Sequence, residues 1–308
     1  MKIYWDLTSV QKTQNSVITV GTFDGVHLGH QHIIDELKTR ARFLGAQTTL
    51  VTFDTHPQIV LSSPDKPALK ILTTIEEKLA ILEKLDIDRV VVIKFSKEFA
   101  NTNPHEFIKN ILFEQVGFTE IVVGYDHAFG KNREGDIETL VNWSNELGFS
   151  VNELSPFMLS ETRVSSSKIR ETIQTGNIKQ AEQLLGRNYP LSGKVVKGDG
   201  RGKDLNFPTA NIEPKSKHKL VPPDGVYAVY VRLGSRKFKG MMNIGHRPTF
   251  SATQHALEVH IFDFNDEIYG EDLTIEFEDR IREEIKFSRP NELIKQLRKD
   301  KEHSLQIL

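Results

Sequence analysis

The hydrophobic positions divide the chain into two halves with different periods. In the first half, short apolar runs alternate with segments in which apolar residues recur every three to four positions. The runs predict strands and the periodic segments predict helices, which is typical of a parallel sheet with crossover helices. The predicted strands cover residues 17–20, 48–53, 89–95, 120–124 and 150–154, and the predicted helices cover 31–44, 75–85, 104–116 and 137–147.

The second half contains short runs rich in Val, Tyr, Ile and Phe, separated by turns of Gly, Pro, Asn and Asp. This pattern predicts an antiparallel β-barrel or sandwich, followed by one amphipathic helix at 290–301. The predicted strands cover residues 191–196, 225–233, 237–243, 257–262 and 273–280. A helical segment at 165–185, interrupted at Thr175-Gly176, ends at the helix-breaking residues 186–190. We therefore place the domain boundary so that residues 1–186 and 187–308 form separate domains.

Composition agrees with two domains and excludes several classes of function. The 308 residues exceed the roughly 250–300 at which one hydrophobic core stops growing. A net charge of −2 gives no general reason to expect nucleic-acid binding, so a polyanionic ligand must meet local Lys and Arg residues. The absence of cysteine excludes disulfides and thiolate catalysis. Without an apolar leader or a long apolar run, we expect a cytosolic protein with no membrane partner. The oligomeric state stays open.

The most informative segment is 21–30, Gly-Thr-Phe-Asp-Gly-Val-His-Leu-Gly-His, which connects the first predicted strand to the first predicted helix. Such a glycine-rich corner presents free N–H groups and the positive end of the helix dipole to a phosphate. His27 and His30 are three residues apart and can face the same side. Imidazoles beside a phosphate site indicate chemistry on the phosphate. The candidate residues of this corner are Gly21, Phe23, Asp24, His27, Gly29 and His30.

A second phosphate-binding pattern begins the predicted helix near residue 165. Ser165, Ser166 and Ser167 supply hydroxyl groups, and Lys168 and Arg170 supply positive charge. Two such patterns in one domain suit a triphosphate. A serine run before a helix is also an ordinary helix cap, and taken alone it stays open to that interpretation.

Two loops follow later strands of the first half, at 52–57 and 124–130. Ligands of open α/β sheets collect at the carboxyl ends of the strands, so we expect both loops, including Asp126, to converge with the His27 corner. His56 and His127 in these loops are equally well explained as ordinary surface or core histidines.

The second half has its own glycine-rich motif at 198–211. Gly198 and Gly200 let the backbone approach a phosphate, and Arg201 adds charge. Thr209 and Asn211 are two residues apart, so in extended chain their oxygens point the same way and suit Mg²⁺. The alternative is a glycine-rich hairpin with an ordinary turn. The sequence is not a Walker loop.

Glu258 is the candidate base of the second half. Along 257–264 the apolar and polar residues alternate, which predicts a half-exposed strand with Leu257, Val259 and Ile261 on one face. Glu258 shares the other face with Phe262 and Phe264, where a planar ligand ring could lie. Desolvation there can raise a carboxyl pKa toward that of a useful base, although a solvated strand carboxylate is the simpler interpretation.

The two motif sets resemble a known family. Gly-x-Phe-Asp-Gly-x-His-x-Gly-His with a later Ser-Ser-Ser-x-Ile-Arg is similar to the adenylyl-transfer nucleotidyltransferases, above all the FMN adenylyltransferase half of bacterial bifunctional riboflavin kinase/FAD synthetases. The order of Pro-Thr-Ala-Asn, Asn-Ile-Gly-His-Arg-Pro-Thr, Glu258, Tyr-Gly and Arg-Glu-Glu-Ile-Lys-Phe is similar to riboflavin kinase. The resemblance covers about residues 14–300. It implies a Rossmann-like α/β domain with a parallel sheet, followed by a mainly antiparallel β-barrel with a terminal helix.

The resemblance also implies substrates and residue roles. The substrates are riboflavin, FMN and ATP, with Mg²⁺. His27 and His30 would stabilise charge on the ATP phosphates, Ser165, Ser166, Ser167 and Arg170 would hold pyrophosphate, and Asp126 would help to hold nucleotide or flavin. In the kinase half, the residues implied to bind phosphate are Gly198, Gly200 and Arg201, and those implied to bind Mg-ATP are Thr209 and Asn211. Glu258 would act as the base. The residues implied to bind the flavin are Asn243, Arg247 and Arg282. Two alternatives remain, namely an enzyme with one active half and a flavin or nucleotide sensor without catalysis.

Overall fold

A computed structural model describes residues 1–63, 67–125, 129–131, 134–198, 207–248 and 253–308, except for the side chains at 246–248, 253 and 254. The described chain forms two compact units. The first contains Met1–Ile71 and Ile75–Ser166, and the second contains Leu72–Thr74 and Ser167–Leu308. Our domain boundary between residues 186 and 187 stays a prediction.

The first unit contains a six-stranded parallel sheet, which confirms the predicted α/β class. Its strands lie in the order β1-β4-β3-β2-β5-β6, and every pairing is parallel. The bounds are β1 Lys2–Tyr4, β2 Ser16–Val20, β3 Gln47–Phe53, β4 Arg89–Ile93, β5 Glu120–Gly124 and β6 Ser150–Leu154. All predicted strands are present. Strand β1 was missed because three residues at a sheet edge carry almost no periodic signal.

Helices connect these strands, and a short hairpin follows the last of them. The α-helices are α1 Leu28–Leu44, α2 Pro57–Val60, α3 Ile75–Glu83, α4 Lys97–Ala100, α5 Pro104–Glu106 and α6 Ile137–Leu147, with a 3₁₀ turn at Leu7–Ser9 and a π-helix at Phe107–Val116. The hairpin pairs β7 Met158–Leu159 with β8 Thr162–Arg163. Helix α1 begins three residues earlier than predicted, because Gly29 and His30 dilute the apolar pattern of its first turn.

Strand β2 marks the point where the order of the sheet reverses. It pairs with β3 on one side and with β5 on the other, and all five of its residues are buried. Both faces are covered, as expected for a parallel sheet. Ligands of such sheets bind beyond the carboxyl ends of the strands at this reversal. The segment 21–30 follows β2, so the fold places the predicted corner at that point.

The second unit contains a closed, antiparallel six-stranded barrel. Of the two predicted alternatives, barrel and sandwich, the barrel is therefore confirmed. The strands lie in the order β10-β13-β12-β11-β14-β9 around the barrel. The bounds are α7 Ser166–Gln174, α8 Ile178–Leu185, β9 Tyr189–Val196, β10 Ala210–Pro214, β11 Gly225–Leu233, β12 Arg236–Pro248, β13 Thr253–Ile261, β14 Asp272–Arg282 and α9 Pro290–Ile307. The predicted interruption at Thr175-Gly176 separates α7 from α8, where Gly176 adopts a positive φ of 78°. Tyr227, Val229 and Ile275 are fully buried in the barrel core.

Candidate active sites

The corner after β2 is a tight turn with unusual backbone geometry. Phe23 and Val26 adopt positive φ angles of 46° and 38°, and Gly25 between them adopts 87°. Left-handed backbone at a non-glycine residue costs about 1–3 kcal/mol and persists where its surroundings enforce it. Phe23 and Asp24 are each only 2% exposed, so the turn is packed into the unit. The corner is therefore a preformed structure.

The two histidines of the corner lie together, as predicted. Their rings stack with centroids 3.6 Å apart and an interplanar angle of 16°. His27 caps α1, because its Nδ1 accepts the backbone N–H of His30 at 3.3 Å. Since Nδ1 accepts, the neutral ring carries its proton on Nε2. A side chain at Gly29 would place a Cβ 3.2 Å from the His27 ring, so glycine leaves the room that the pair requires.

Ser166 lies at the corner, which the sequence motif alone did not establish. Its hydroxyl donates to the backbone carbonyl of Asp24 at 2.9 Å. Ser165 and Ser166 belong to the first compact unit, whereas Ser167 and Arg170 belong to the second. Asp126 and His127 lie outside the described residues.

Near the strand ends, Arg163 and Tyr125 were not singled out by the sequence, whereas His56 was left open. Arg163, at the end of β8, places its guanidinium 4.5 Å from the ring centre of Tyr125, which follows β5. Its only signal in the sequence is its position two residues before Ser165, the first of the three serines. His56 caps α2, because its Nδ1 accepts the N–H of Gln58 at 3.2 Å. That contact agrees with the simpler interpretation of His56.

On the barrel, three predicted residues form one row across neighbouring strands. Glu258 on β13 is the register partner of Asn211 on β10 and of Asn243 on β12. Register partners point to the same face of a sheet. Leu257 and Val259 on either side of Glu258 are 7% and 0% exposed, so they fill the barrel interior. The predicted alternation of burial is confirmed at Leu257, Glu258 and Val259, whereas His260 and Phe262 on the other face are buried as well. The side chains of Asn211, Glu258 and Asn243 lie on the outer wall.

Gly198 is required by the space that Asn211 occupies. A Cβ at Gly198 would overlap Nδ2 of Asn211 and lie 2.6 Å from its Cγ. Thr209 precedes Asn211 by two residues and is half-buried, as Asn211 is. Gly200 and Arg201 lie outside the described residues, and the side chain of Arg247 is also not described.

The aromatic residues near Glu258 are engaged with protein. Phe262 is 4% exposed and packs in a cluster with Phe207 and Met241, against residues that include Leu297 of α9. Phe264 makes an edge contact with Phe238, with ring centres 5.0 Å apart. Leu297 of α9 packs against the cluster that contains Phe262. The expectation that a ligand ring could lie on the face that Glu258 shares with Phe262 and Phe264 stays a prediction. Sequence alternation assigns a face but not what packs on it.

His260 was not singled out by the sequence. It lies two residues after Glu258 on β13, and its Nδ1 is 2.7 Å from the carbonyl oxygen of Pro208. Burial lowers the pKa of His260 below its usual value of 6.5, although the hydrogen bond to Pro208 acts in the opposite direction. The ring therefore ties β13 to the residue before Thr209.

Arg282 is held by the terminal helix. Its Nε lies 3.0 Å from each carboxylate oxygen of Asp300, and its Nη2 lies 2.7 Å from Oδ2. Asp300 is 1% exposed and also accepts from Gln296 at 2.8 Å. The ion pair fastens α9 to β14.

Two of the predicted barrel residues suit a hard cation. Thr209 and Asn211 offer hydroxyl and amide oxygens, which would hold Mg²⁺. Within the described residues there is no group of three or more His, Asp or Glu side chains placed to hold a metal by themselves.

Comparison with known proteins decides the family. A sequence-family model for FAD synthetase matches residues 9–168, and one for riboflavin kinase matches residues 185–308. Bifunctional riboflavin kinase/FMN adenylyltransferases are similar over most of the chain. The protein from Listeria monocytogenes is 39% identical over 94% of this chain and 91% of its own, and that from Haemophilus influenzae is 38% identical over 94% and 93%.

This chain belongs to the bifunctional riboflavin kinase/FMN adenylyltransferase family. As a member of this family it is a transferase with an FAD synthetase domain followed by a riboflavin kinase domain. A solved structure described as a macrolide-efflux protein from Streptococcus pneumoniae is 31% identical, with a TM-score of 0.88 over 98% of this chain and 97% of that chain. The fold of this family member is thus found in a solved structure, whose description names a different activity from either family model.

None of the helices in the described ranges combines the length and apolar composition that crossing a membrane requires.

Proposed function

We propose that this family member converts riboflavin to FMN on its barrel and FMN to FAD at the corner after β2, using ATP in both steps. The first reaction transfers the γ-phosphoryl group to the ribityl 5′-hydroxyl and releases ADP. The second joins the FMN phosphate to the α-phosphorus of another ATP and releases pyrophosphate. The observation that carries the proposal is the row of Asn211, Glu258 and Asn243, which places a carboxylate between two amides on the outer wall of the barrel.

In the kinase step, Glu258 takes the proton of the 5′-hydroxyl as the oxygen attacks the γ-phosphorus. Thr209 and Asn211 hold the phosphates of ATP, and the missing side chain of Gly198 leaves the space that Asn211 fills. Mg²⁺, when bound by these oxygens, neutralises phosphate charge. The remaining residues proposed for this half are Gly200 and Arg201 at phosphate, and Asn243 and Arg247 at the flavin.

For Arg282, the ion pair with Asp300 supports an indirect role. Its Nη1 also donates to the carbonyl of Glu283 at 2.8 Å. We propose that Arg282 shapes the flavin site by holding α9 against β14.

In the adenylyl step no strong base is required, because the FMN phosphate is already an anion. The barrier lies in bringing two anions together and in neutralising charge as the α-phosphorus is attacked, so positioning and electrostatic stabilisation supply the catalysis. The stacked pair of His27 and His30 supports this role. The other residues proposed for this step are Gly21, Phe23, Asp24 and Gly29 in the corner, Asp126 at nucleotide or flavin, and Ser165, Ser166, Ser167 and Arg170 at the leaving pyrophosphate.

The test is a single incubation of the full chain with riboflavin, ATP and Mg²⁺, with products separated by chromatography. Formation of FMN followed by FAD is the expected result. Accumulation of FMN alone would show that only the kinase half is active. Flavin binding without turnover would indicate a sensor and contradict the proposal.

A further inference from the structure

A buried lysine lies beneath the corner and has no role in the two proposed reactions as described by their substrates and ligands. Lys78 is on α3 and is only 6% exposed. Its ammonium donates to the carbonyl of Thr22 at 2.7 Å, to the hydroxyl of Thr52 at 3.0 Å and to the carbonyl of Phe53 at 3.3 Å. An ammonium has three N–H donors, so this set of acceptors satisfies it completely.

The three acceptors belong to the ends of the two strands that meet at the corner. Thr52 and Phe53 end β3, and Thr22 lies two residues beyond the end of β2. The Thr52 hydroxyl also donates to the Thr22 carbonyl, at 3.2 Å. Two donors therefore converge on one carbonyl, and the next residue in the chain is Phe23, with its φ of 46°. Strained backbone persists only where such contacts enforce it.

The positive charge of Lys78 needs an explanation beyond fold stability. Burying an ammonium costs several kcal/mol, and a neutral amide could supply donors to the same carbonyls at lower cost. Burial lowers the pKa of Lys78 to about 8, while the carboxylates of Asp24 and Asp54 oppose that shift. These carboxylates are the charged groups that act on Lys78 from the corner and from the loop after β3. A polyanion at the corner would add to their effect and favour the charged form.

We infer that Lys78 is a positioning residue for adenylyl transfer, whose buried ammonium fixes the Thr22 carbonyl and thereby the turn that carries His27, and adds positive potential beneath the ATP phosphates. The inference rests on the proposed function, because it needs the triphosphate to bind at this corner. Lys78 acts through the turn and does not contact the reacting atoms.

The experiment compares two reactions of the same full-length chain. Lys78→Met keeps the length of the side chain without its charge, and Lys78→Gln keeps a donor without the charge. Lys84→Met is the matched control, since Lys84 is exposed just beyond the end of the same helix. We expect Lys78→Met to lower kcat/KM for FMN adenylylation by roughly 10²-fold, the usual scale for a small misplacement of reacting groups. Lys78→Gln should lose less of the adenylylation activity than Lys78→Met. Riboflavin phosphorylation should be unchanged in all three variants.

A pH profile supplies a second readout, which a purely structural contact would not affect. In the unsubstituted chain, kcat/KM for adenylylation should fall as the pH rises above about 8, because the free enzyme then loses the ammonium charge. The kinase reaction should show no matching fall. If Lys78→Met lost both activities, the pH profile of the unsubstituted chain would show whether the charge of Lys78 matters for adenylylation. A fall confined to adenylylation supports the inference, and no fall up to about pH 9.5 overturns it.

The outcomes separate this inference from the proposed function. An unsubstituted chain that makes FMN but no FAD would contradict the proposed adenylylation, and the inference with it. A chain that makes FAD equally well with Lys78 or Met at this position would overturn the inference alone.

Discussion

Nδ1 of His260 lies 2.7 Å from the carbonyl oxygen of Pro208. A carbonyl only accepts, so the ring nitrogen must carry the proton and donate. Pro208 precedes Thr209, which we propose to hold the ATP phosphates. His260 therefore connects the strand of the proposed base, Glu258, to the segment of the proposed phosphate ligand.

The first prediction concerns this hydrogen bond. His260→Leu removes the donor and places an apolar side chain between Phe207 and Phe262. KM for ATP in the kinase reaction should therefore rise about tenfold, which corresponds to the loss of one hydrogen bond worth about 1.4 kcal/mol. His260→Asn places an amide N–H near the position of Nδ1 and should restore most of the affinity. Steady-state kinetics of both reactions check this, with adenylylation as the internal reference. Equal KM values in the two variants would contradict it.

The second prediction is a dependence of stability on pH. Burial lowers the pKa of His260 in the folded chain, so the unfolded chain takes up the proton first as the pH falls. The stability contribution is therefore present above pH 6.5 and is lost as the pH falls below that value toward the lowered pKa. Urea unfolding of the barrel, followed between about pH 5 and 8, should show this loss, and His260→Asn should reduce it. An identical pH dependence in that variant would assign the effect to other groups.

The third prediction tests the proposed base. Glu258→Gln keeps the shape of the side chain and removes its basicity, so FMN formation should fall by roughly 10²–10⁴-fold. The row of Asn211 and Asn243 remains intact, so nucleotide affinity should change little. Conversion of supplied FMN to FAD should be unaffected. Equal loss in both reactions would show that the two sites do not act independently.

The fourth prediction concerns the stacked histidines. His30→Ala removes the ring that lies 3.6 Å from His27 but leaves the backbone N–H that His27 accepts. Adenylylation should fall because charge on the ATP phosphates is less well stabilised, while riboflavin phosphorylation continues. Single-turnover assays with supplied FMN measure the chemical step. Normal FAD synthesis in this variant would remove His30 from the mechanism.

The fifth prediction concerns the domain boundary. A fragment of residues 187–308 retains every barrel strand and α9, so it should fold and unfold cooperatively. A fragment of residues 167–308 should melt at a higher temperature, because it keeps α8, whose Ile178, Leu184 and Leu185 are at most 2% exposed. Calorimetry of both fragments makes the comparison. Aggregation of both would count against independent folding of the barrel domain.

Local patterns in the sequence were sufficient for the class of each half. The alternation of apolar runs and helical periods predicted the strands around β2, and the period of two around Glu258 predicted which side of β13 enters the barrel. The motif at 21–30 predicted a strand, a tight turn and a helix, and the structure shows all three. Each of these inferences depends on residues that are close together in the chain.

Contacts between segments that are distant in the chain could not be predicted from local sequence patterns. Lys78 reads as one more charged position on a helix, yet it lies 56 residues from the carbonyl that it binds. Asp300 reads as a solvated helix residue, yet Arg282 pairs with it in a buried position.

The sequence by itself determined the two fold classes, the corner and the outward face of Glu258, because these follow from backbone periodicity and local turn chemistry. Only the tertiary structure decided that Asn211, Glu258 and Asn243 form one row, that α9 packs against the cluster containing Phe262, and that Lys78 lies under the corner. Strand register and helix docking are set by packing of the whole core, and no short stretch of sequence contains that information.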